Sequence, residues 1–188
     1  MKEIYLIIKQ PRGHIMKPYG NKILLLVGGA PGSGKTSFAT FLSDLLGSTG
    51  GVTVDSFSTD DYWYERGKGE YAFNASLLPE AHAWNEARVE DCMLKSPVDH
   101  DESKYHIIIV HNTFAATWEA EHYVPYAEAH GFSVINPIMR QLHDGRSQHV
   151  KDPQIIEQRL SAIACSFYNH KSEADFYKRE VDLMKEEA

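Results

Sequence analysis

The residues best suited to chemistry in this chain form one short string, Gly29-Ala30-Pro31-Gly32-Ser33-Gly34-Lys35-Thr36. It meets the G-x-x-x-x-G-K-[ST] requirement for a phosphate-binding loop in full. Its glycines let the backbone curl so that successive N–H groups face phosphate oxygens. A helix starting at the same point adds unpaired donors and about half a positive charge. Lys35 is expected to reach the β- and γ-phosphates of a nucleoside triphosphate, and the Thr36 hydroxyl to ligate Mg²⁺. The expected nucleotide contacts are Gly29, Ala30, Pro31, Gly32, Ser33, Gly34, Lys35, Thr36 and the adjacent Ser37, with ATP and Mg²⁺ as the bound species. The competing reading is a chance glycine turn beside a surface lysine, and the flanking sequence argues against it.

The stretch Ile23-Leu24-Leu25-Leu26-Val27 before the loop is continuously apolar, as suits a strand buried on both faces of a parallel sheet. After the loop, Phe38, Phe41, Leu42, Leu45 and Leu46 recur with helical spacing up to a stop at Gly47. Val52–Val54 reads as a second strand, Tyr105–Val110 as a third and Phe132–Ile135 as a fourth. Helices are expected over Ser76–Leu94 and Trp118–His130. Another is expected from Pro153, whose missing N–H suits a first helical position, to about Tyr168. Strands alternating with helices imply right-handed crossovers and an α/β fold, a parallel sheet flanked by helices on both faces in three layers. Residues 1–20 read as an appendage: Ile4–Lys9 suits an extra strand, and Pro11, Gly13, Pro18 and Gly20 then break the chain. The main domain is expected over 21–170, with a charged tail over 171–188.

Bulk properties bound the function. The 188 residues fit one domain, and a hydrophobic content of 43% is ordinary for a globular core. A net charge of −7 argues against a broad basic face for nucleic acid, while leaving room for a local cleft that takes one chain end. Cys92 and Cys165 are too few for a disulfide framework and lack metal-ligand spacing. The histidines are scattered, so no zinc site is expected. No apolar run near the N-terminus approaches the ~20 residues that span a bilayer, so a soluble, cytoplasmic protein without membrane partners is expected.

Beyond the loop, Ser58-Thr59-Asp60-Asp61-Tyr62 follows the second strand, at the carboxyl end where ligands sit in open α/β sheets. Tyr71-Ala72-Phe73, Leu77, Ala81-His82-Ala83-Trp84-Asn85, Arg88, Asn112-Thr113, Trp118 and Pro125-Tyr126 continue a pattern. Over about residues 22–165 it resembles the polynucleotide-kinase-like, AAA-type P-loop ATPases. That group includes the kinase domain of bacteriophage polynucleotide kinase and eukaryotic ubiquitin-ligase-binding ATPase domains.

The resemblance implies a P-loop NTPase fold and an ATP-dependent kinase, a phosphotransferase acting on the 5′-hydroxyl of a polynucleotide end. It makes Asp60 the general base that takes the hydroxyl proton; a turn or N-cap role is the structural alternative. Asp61 reads as structural, through turn or helix-start hydrogen bonds. Arg146 matches the arginine of the family's lid, which binds the transferring phosphoryl group, with Arg140 as substitute and a solvated surface arginine as the alternative. Trp84 and His82 read as structural, while Arg88 is a candidate to face the cleft and hold a substrate phosphate.

One position departs from the pattern. Where the family carries an aspartate after the third strand, this chain has His111. A neutral imidazole is a poor ligand for Mg²⁺, so activity weakened by His111 is one expectation. Two other readings keep the fold: a small-molecule or nucleotide kinase, and a nucleotide-dependent binding module or degenerate kinase without efficient turnover. The family's phage members also carry an arginine shortly after Asp-Asp-Tyr, where this chain has Trp63.

Overall fold

A computed structural model describes residues 20–139 and Gln154. The expected strand at Ile4–Lys9, the helix from Pro153 and the charged tail lie outside the described residues, as do Arg140 and Arg146.

The described chain runs β1 (Lys22–Val27), α1 (Lys35–Gly47), β2 (Val52–Phe57), α2 (Asp60–Arg66), α3 (Leu78–Leu94), β3 (Tyr105–His111), α4 (Thr117–Glu121), α5 (Tyr123–Ala129) and β4 (Ser133–Ile135). The four strands are parallel, in the order β2-β3-β1-β4. Connections leaving β1 and β3 travel in opposite directions across the sheet. A crevice therefore opens beyond their carboxyl ends, where open α/β sheets bind ligands.

The period of two along β1 and β3 explains why their sequences are continuously apolar. Leu24, Leu26, Ile108 and Val110 point to one face and pack with Val89 and Met93 of α3 and Tyr123 and Ala127 of α5. Leu25, Val27, Ile107 and Ile109 point to the other and pack with Phe38, Ala39 and Leu42 of α1. Both faces are covered, so no polar alternation remains. The result is the three-layer α/β sandwich with a parallel sheet.

Particular elements differ from the sequence reading. Phe41 and Leu45 belong to the helical apolar pattern of α1 yet stand outside its sheet contact, 62% and 53% exposed. The second strand extends through Phe57, because pairing with β3 continues to Phe57 opposite Val110. The helix expected from Ser76 opens as a single 3₁₀ turn, Ala75–Leu77, and becomes α-helical at Leu78. The stretch expected as one helix over Trp118–His130 is two, α4 and α5, meeting at His122. Pro125 supplies the reason: it has no N–H for the carbonyl of Glu121, and its ring clashes with that group. In the first turn of a new helix the same residue is tolerated. Helix α2 was not expected from periodicity; its seven residues bury Tyr62 and Trp63.

Ala81, Asn85, Val89 and Met93 form the buried stripe of α3 at i, i+4 spacing. Asn85 is fully buried, and its Nδ2 donates to the Tyr123 hydroxyl at 3.0 Å, tying α3 to α5. Tyr123→Phe removes that acceptor and leaves a buried amide donor unpaired, a loss of about 1–3 kcal/mol. Urea denaturation is expected to show a lower midpoint at unchanged slope.

Candidate functional site

Backbone hydrogen bonds hold the mouth of the phosphate loop from both sides. Gly28 N–H donates to the Pro137 carbonyl at 2.9 Å, and Met139 N–H donates to the Gly28 carbonyl at 2.7 Å. Gly29 N–H donates to the Thr113 carbonyl at 3.2 Å, beyond the end of β3. Only glycine fits at 29. A Cβ there would stand 2.6 Å from Ser33 Oγ and 2.7 Å from the Met139 oxygen, and the residue has φ of +148°.

Gly32 and Gly34 curl the loop at φ of 83° and 88° and deliver it into α1. No acidic side chain occupies the first turn of that 13-residue helix, so its positive end is not neutralised from within. Among the described residues, no backbone hydrogen bond engages the N–H groups of Gly32, Gly34, Lys35 or Thr36. These donors, with the helix end behind them, make the loop suited to an oxyanion.

Lys35 folds back over its own loop, where Nζ donates to the Gly29 carbonyl at 2.9 Å and the Ala30 carbonyl at 2.8 Å. Burial pushes its pKa down to about 8, against the nearby negative charge of Asp60. Thr36 and Ser37 follow on the exposed side of the first turn.

Asp60 begins α2 just past the end of β2. Its Oδ1 accepts from the Tyr71 hydroxyl at 2.8 Å, and no hydrogen bond reaches Oδ2 among the described residues. Burial, followed by the Asp60 charge, raises the Tyr71 pKa and keeps that hydroxyl a donor. Asn112 ties the turn before Asp60 to β3: its Oδ1 accepts from Thr59 N–H at 2.8 Å and from the Ser58 hydroxyl at 3.4 Å. Three buried polar atoms here have no partner, namely Ser33 Oγ, Thr59 Oγ1 and Asn112 Nδ2. Buried polar groups are normally paired, so such a concentration at the strand ends suits a polar ligand.

Asp61 turns away from Asp60 and does structural work. Its Oδ2 accepts from Ser58 N–H at 3.2 Å and from the Arg88 guanidinium at 3.1 Å. Arg88 lies over the Trp84 ring at 4.2 Å and near Phe57 at 5.0 Å. One Arg88 nitrogen is thus engaged by Asp61 while the guanidinium plane stacks on an indole, which places the side chain in a structural tie between α2 and α3. Trp84 also meets Tyr62 edge-on at 5.6 Å, and His82 meets Trp118 at 5.7 Å. Trp63 is 1% exposed and serves as core.

His111 ends β3 beside these groups. Burial lowers its pKa; Asp61 opposes that, Lys35 adds to it and Asp60 opposes it. The imidazole is therefore neutral at neutral pH. Asp60, Lys35 and His111 thus lie near one another at the carboxyl end of the sheet. Tyr71 was not legible as the partner of Asp60, because it lies in an aperiodic stretch where spacing carries no contact information.

Sheet order and the strand–loop–helix passage from β1 to α1 define a three-layer α/β fold with a P-loop. No family model matches the chain. It is 35% identical over 117 residues to human NEDD4-binding protein 2, a match covering 62% of this chain and 6% of that protein's length. The structure of Chaetomium thermophilum Kti12 in complex with ADP-AlF3 superposes with a TM-score of 0.50 at 13% identity, covering 86% of this chain and 98% of that one. Mycobacterium tuberculosis APS kinase CysC in complex with AMPPNP and APS gives a TM-score of 0.44 at 14% identity, covering 90% and 99%.

The depressed Lys35 has a measurable consequence. Above about pH 8 the empty loop has lost this proton, and a polyphosphate restores the charged form. Binding of inorganic triphosphate should therefore take up close to one proton at about pH 9 and almost none from Lys35 near pH 6. Calorimetry in buffers of differing ionisation enthalpy measures the uptake, which Lys35→Met should abolish.

Proposed function

We propose that the protein is an ATP-dependent phosphotransferase in which Asp60 acts as general base toward a hydroxyl acceptor. The observation that carries this reading is the convergence of Lys35 and Asp60 across the ends of β1 and β2, with Tyr71 fixing one carboxylate oxygen. The acceptor oxygen attacks the γ-phosphorus, its proton passes to Asp60, and the bond to the β–γ bridging oxygen breaks to release ADP. Lys35 binds the β- and γ-phosphates, and the loop N–H groups of residues 29–37 cradle them. The Thr36 hydroxyl, a hard oxygen donor at the helix start, fits Mg²⁺. When bound, that ion neutralises phosphate charge.

The proposed acceptor is the 5′-hydroxyl of a polynucleotide end, supported by the motif pattern that surrounds Asp60. Arg146, with Arg140 as the alternative, is proposed to bind the transferring group from a lid. Residues 21–170 are proposed as one kinase-like domain between the N-terminal appendage and the charged tail, in a cytoplasmic protein. No helix among the described residues is long and apolar enough to cross a membrane.

A second reading, a nucleotide-dependent binding module, is favoured by one observation: a neutral His111 stands where a carboxylate would organise the metal. Transfer of labelled phosphate from ATP to a 5′-hydroxyl oligonucleotide separates the two. Asp60→Asn should reduce transfer by about 10²–10⁴-fold while leaving ATP affinity nearly unchanged. Full activity in that variant would remove Asp60 from the base role. No transfer by the wild type to any hydroxyl acceptor, with ATP bound, would favour the binding module. In that case His111→Asp should raise turnover or its dependence on Mg²⁺.

A further inference from the structure

Far from the phosphate loop, three side chains of different chemistry meet on the α3 face of the sheet. Asp55 comes from β2, Cys92 from α3 and His106 from β3. In sequence Asp55 and His106 are 51 residues apart, and Cys92 and His106 are 14 apart. No short ligand spacing announces them. In space their donor atoms all lie within 4.8 Å of one another.

The geometry of His106 decides what this cluster can do. Its Nε2 is 2.9 Å from Asp55 Oδ2 and 3.7 Å from Cys92 Sγ, while Nδ1 is 2.9 Å from Ser96 Oγ. A nucleophilic triad needs the carboxylate and the nucleophile on opposite ring nitrogens. Here both converge on the same nitrogen, and a hydroxyl occupies the other. That is the arrangement of ligands around a shared point, with an outer partner orienting the ring.

Tetrahedral zinc bonds of about 2.0–2.3 Å would separate nitrogen from oxygen by about 3.3 Å and nitrogen from sulfur by about 3.6 Å. The observed pairs need shifts of only a few tenths of an ångström to meet those values. Asp55 has 42% of its side chain exposed, which provides an entry path and a fourth position for water. His106 and Ser96 are buried at 1% exposure, so the ring is held in place by packing. Burial, followed by the Asp55 charge, pushes the Cys92 thiol up to about 12, so without a metal the sulfur keeps its proton and alkylates only slowly.

We propose that Asp55, Cys92 and His106 form a zinc site that fastens α3 to β2 and β3, with Ser96 positioning the imidazole. Thiolate, imidazole and a single carboxylate select a borderline-soft ion and discriminate against Mg²⁺. Binding releases the thiol proton to solvent. It also leaves the imidazole proton on Nδ1, from which Nδ1–H donates a hydrogen bond to Ser96 Oγ. The site lies at the amino end of β3, and five residues of extended strand, about 16 Å, separate His106 from His111. It is therefore independent of the phosphate loop.

Cobalt(II) is the probe. Added to the metal-free full chain in excess Mg²⁺, it should bind one equivalent and give a thiolate-to-cobalt charge-transfer band with the intense visible absorption of four-coordinate cobalt. Zinc should displace it. Cys92→Ser should lose the charge-transfer band, and Cys165→Ser should keep it. A second measurement uses the unaltered chain: saturating zinc should protect Cys92, and not Cys165, from alkylation mapped by mass spectrometry. Absence of the band in the wild type, its survival in Cys92→Ser, or Cys92 alkylated equally with and without zinc would each overturn the site.

Discussion

Lys35 keeps an ammonium group largely out of water by donating to two carbonyls of its own loop, those of Gly29 and Ala30. Everything around the crevice serves that arrangement. A buried cation needs its hydrogen-bond partners in fixed places, because desolvation otherwise drives it neutral. The carbonyls are fixed because Gly28 and Gly29 are bonded to the segments beyond β3 and β4. Those segments are fixed in turn because β1 lies between β3 and β4 in the sheet. A central strand position is thus what allows one lysine to be both buried and available.

Charge at the strand ends is divided into two groups with little overlap. Asp61 is balanced by Arg88, whose guanidinium is also held on Trp84 and beside Phe57. Asp60 has a phenol on one oxygen and the Lys35 charge nearby. Adjacent aspartates in one sequence therefore do different work, because the first turn of α2 points them in different directions. His111 sits between the two groups and stays neutral, so it adds no further positive charge beside the loop.

Helix α3 carries two parallel stripes that explain its weak amphipathic pattern. Ala81, Asn85, Val89 and Met93 face the core. One position earlier on each turn, Trp84 packs on Tyr62 of α2 and under Arg88, Arg88 meets Phe57 of β2 and Asp61 of α2, and Cys92 meets Asp55 of β2. Because β2 is the edge strand among the described residues, this second stripe is half-buried and can be polar without being orphaned. Polar ties there give α3 a defined register that apolar packing alone would leave less specified.

The sequence by itself determined the strands, the loop and the class of fold. Continuous apolar runs have few alternatives to a parallel sheet covered on both faces, and a complete phosphate-loop string needs a strand before it and a helix after it. Asp60 and His111 were legible as strand-end residues for the same reason. The tertiary structure alone decided the contacts that join distant segments. Tyr71 reaches Asp60, Arg88 is taken by Asp61, and Pro125 divides a helix that periodicity had left whole. Asp55, Cys92 and His106 carry no common spacing, and they meet only because β2, β3 and α3 stack in one register. Local pattern reports which face of an element is buried; which side chains then find one another depends on how the elements are laid together.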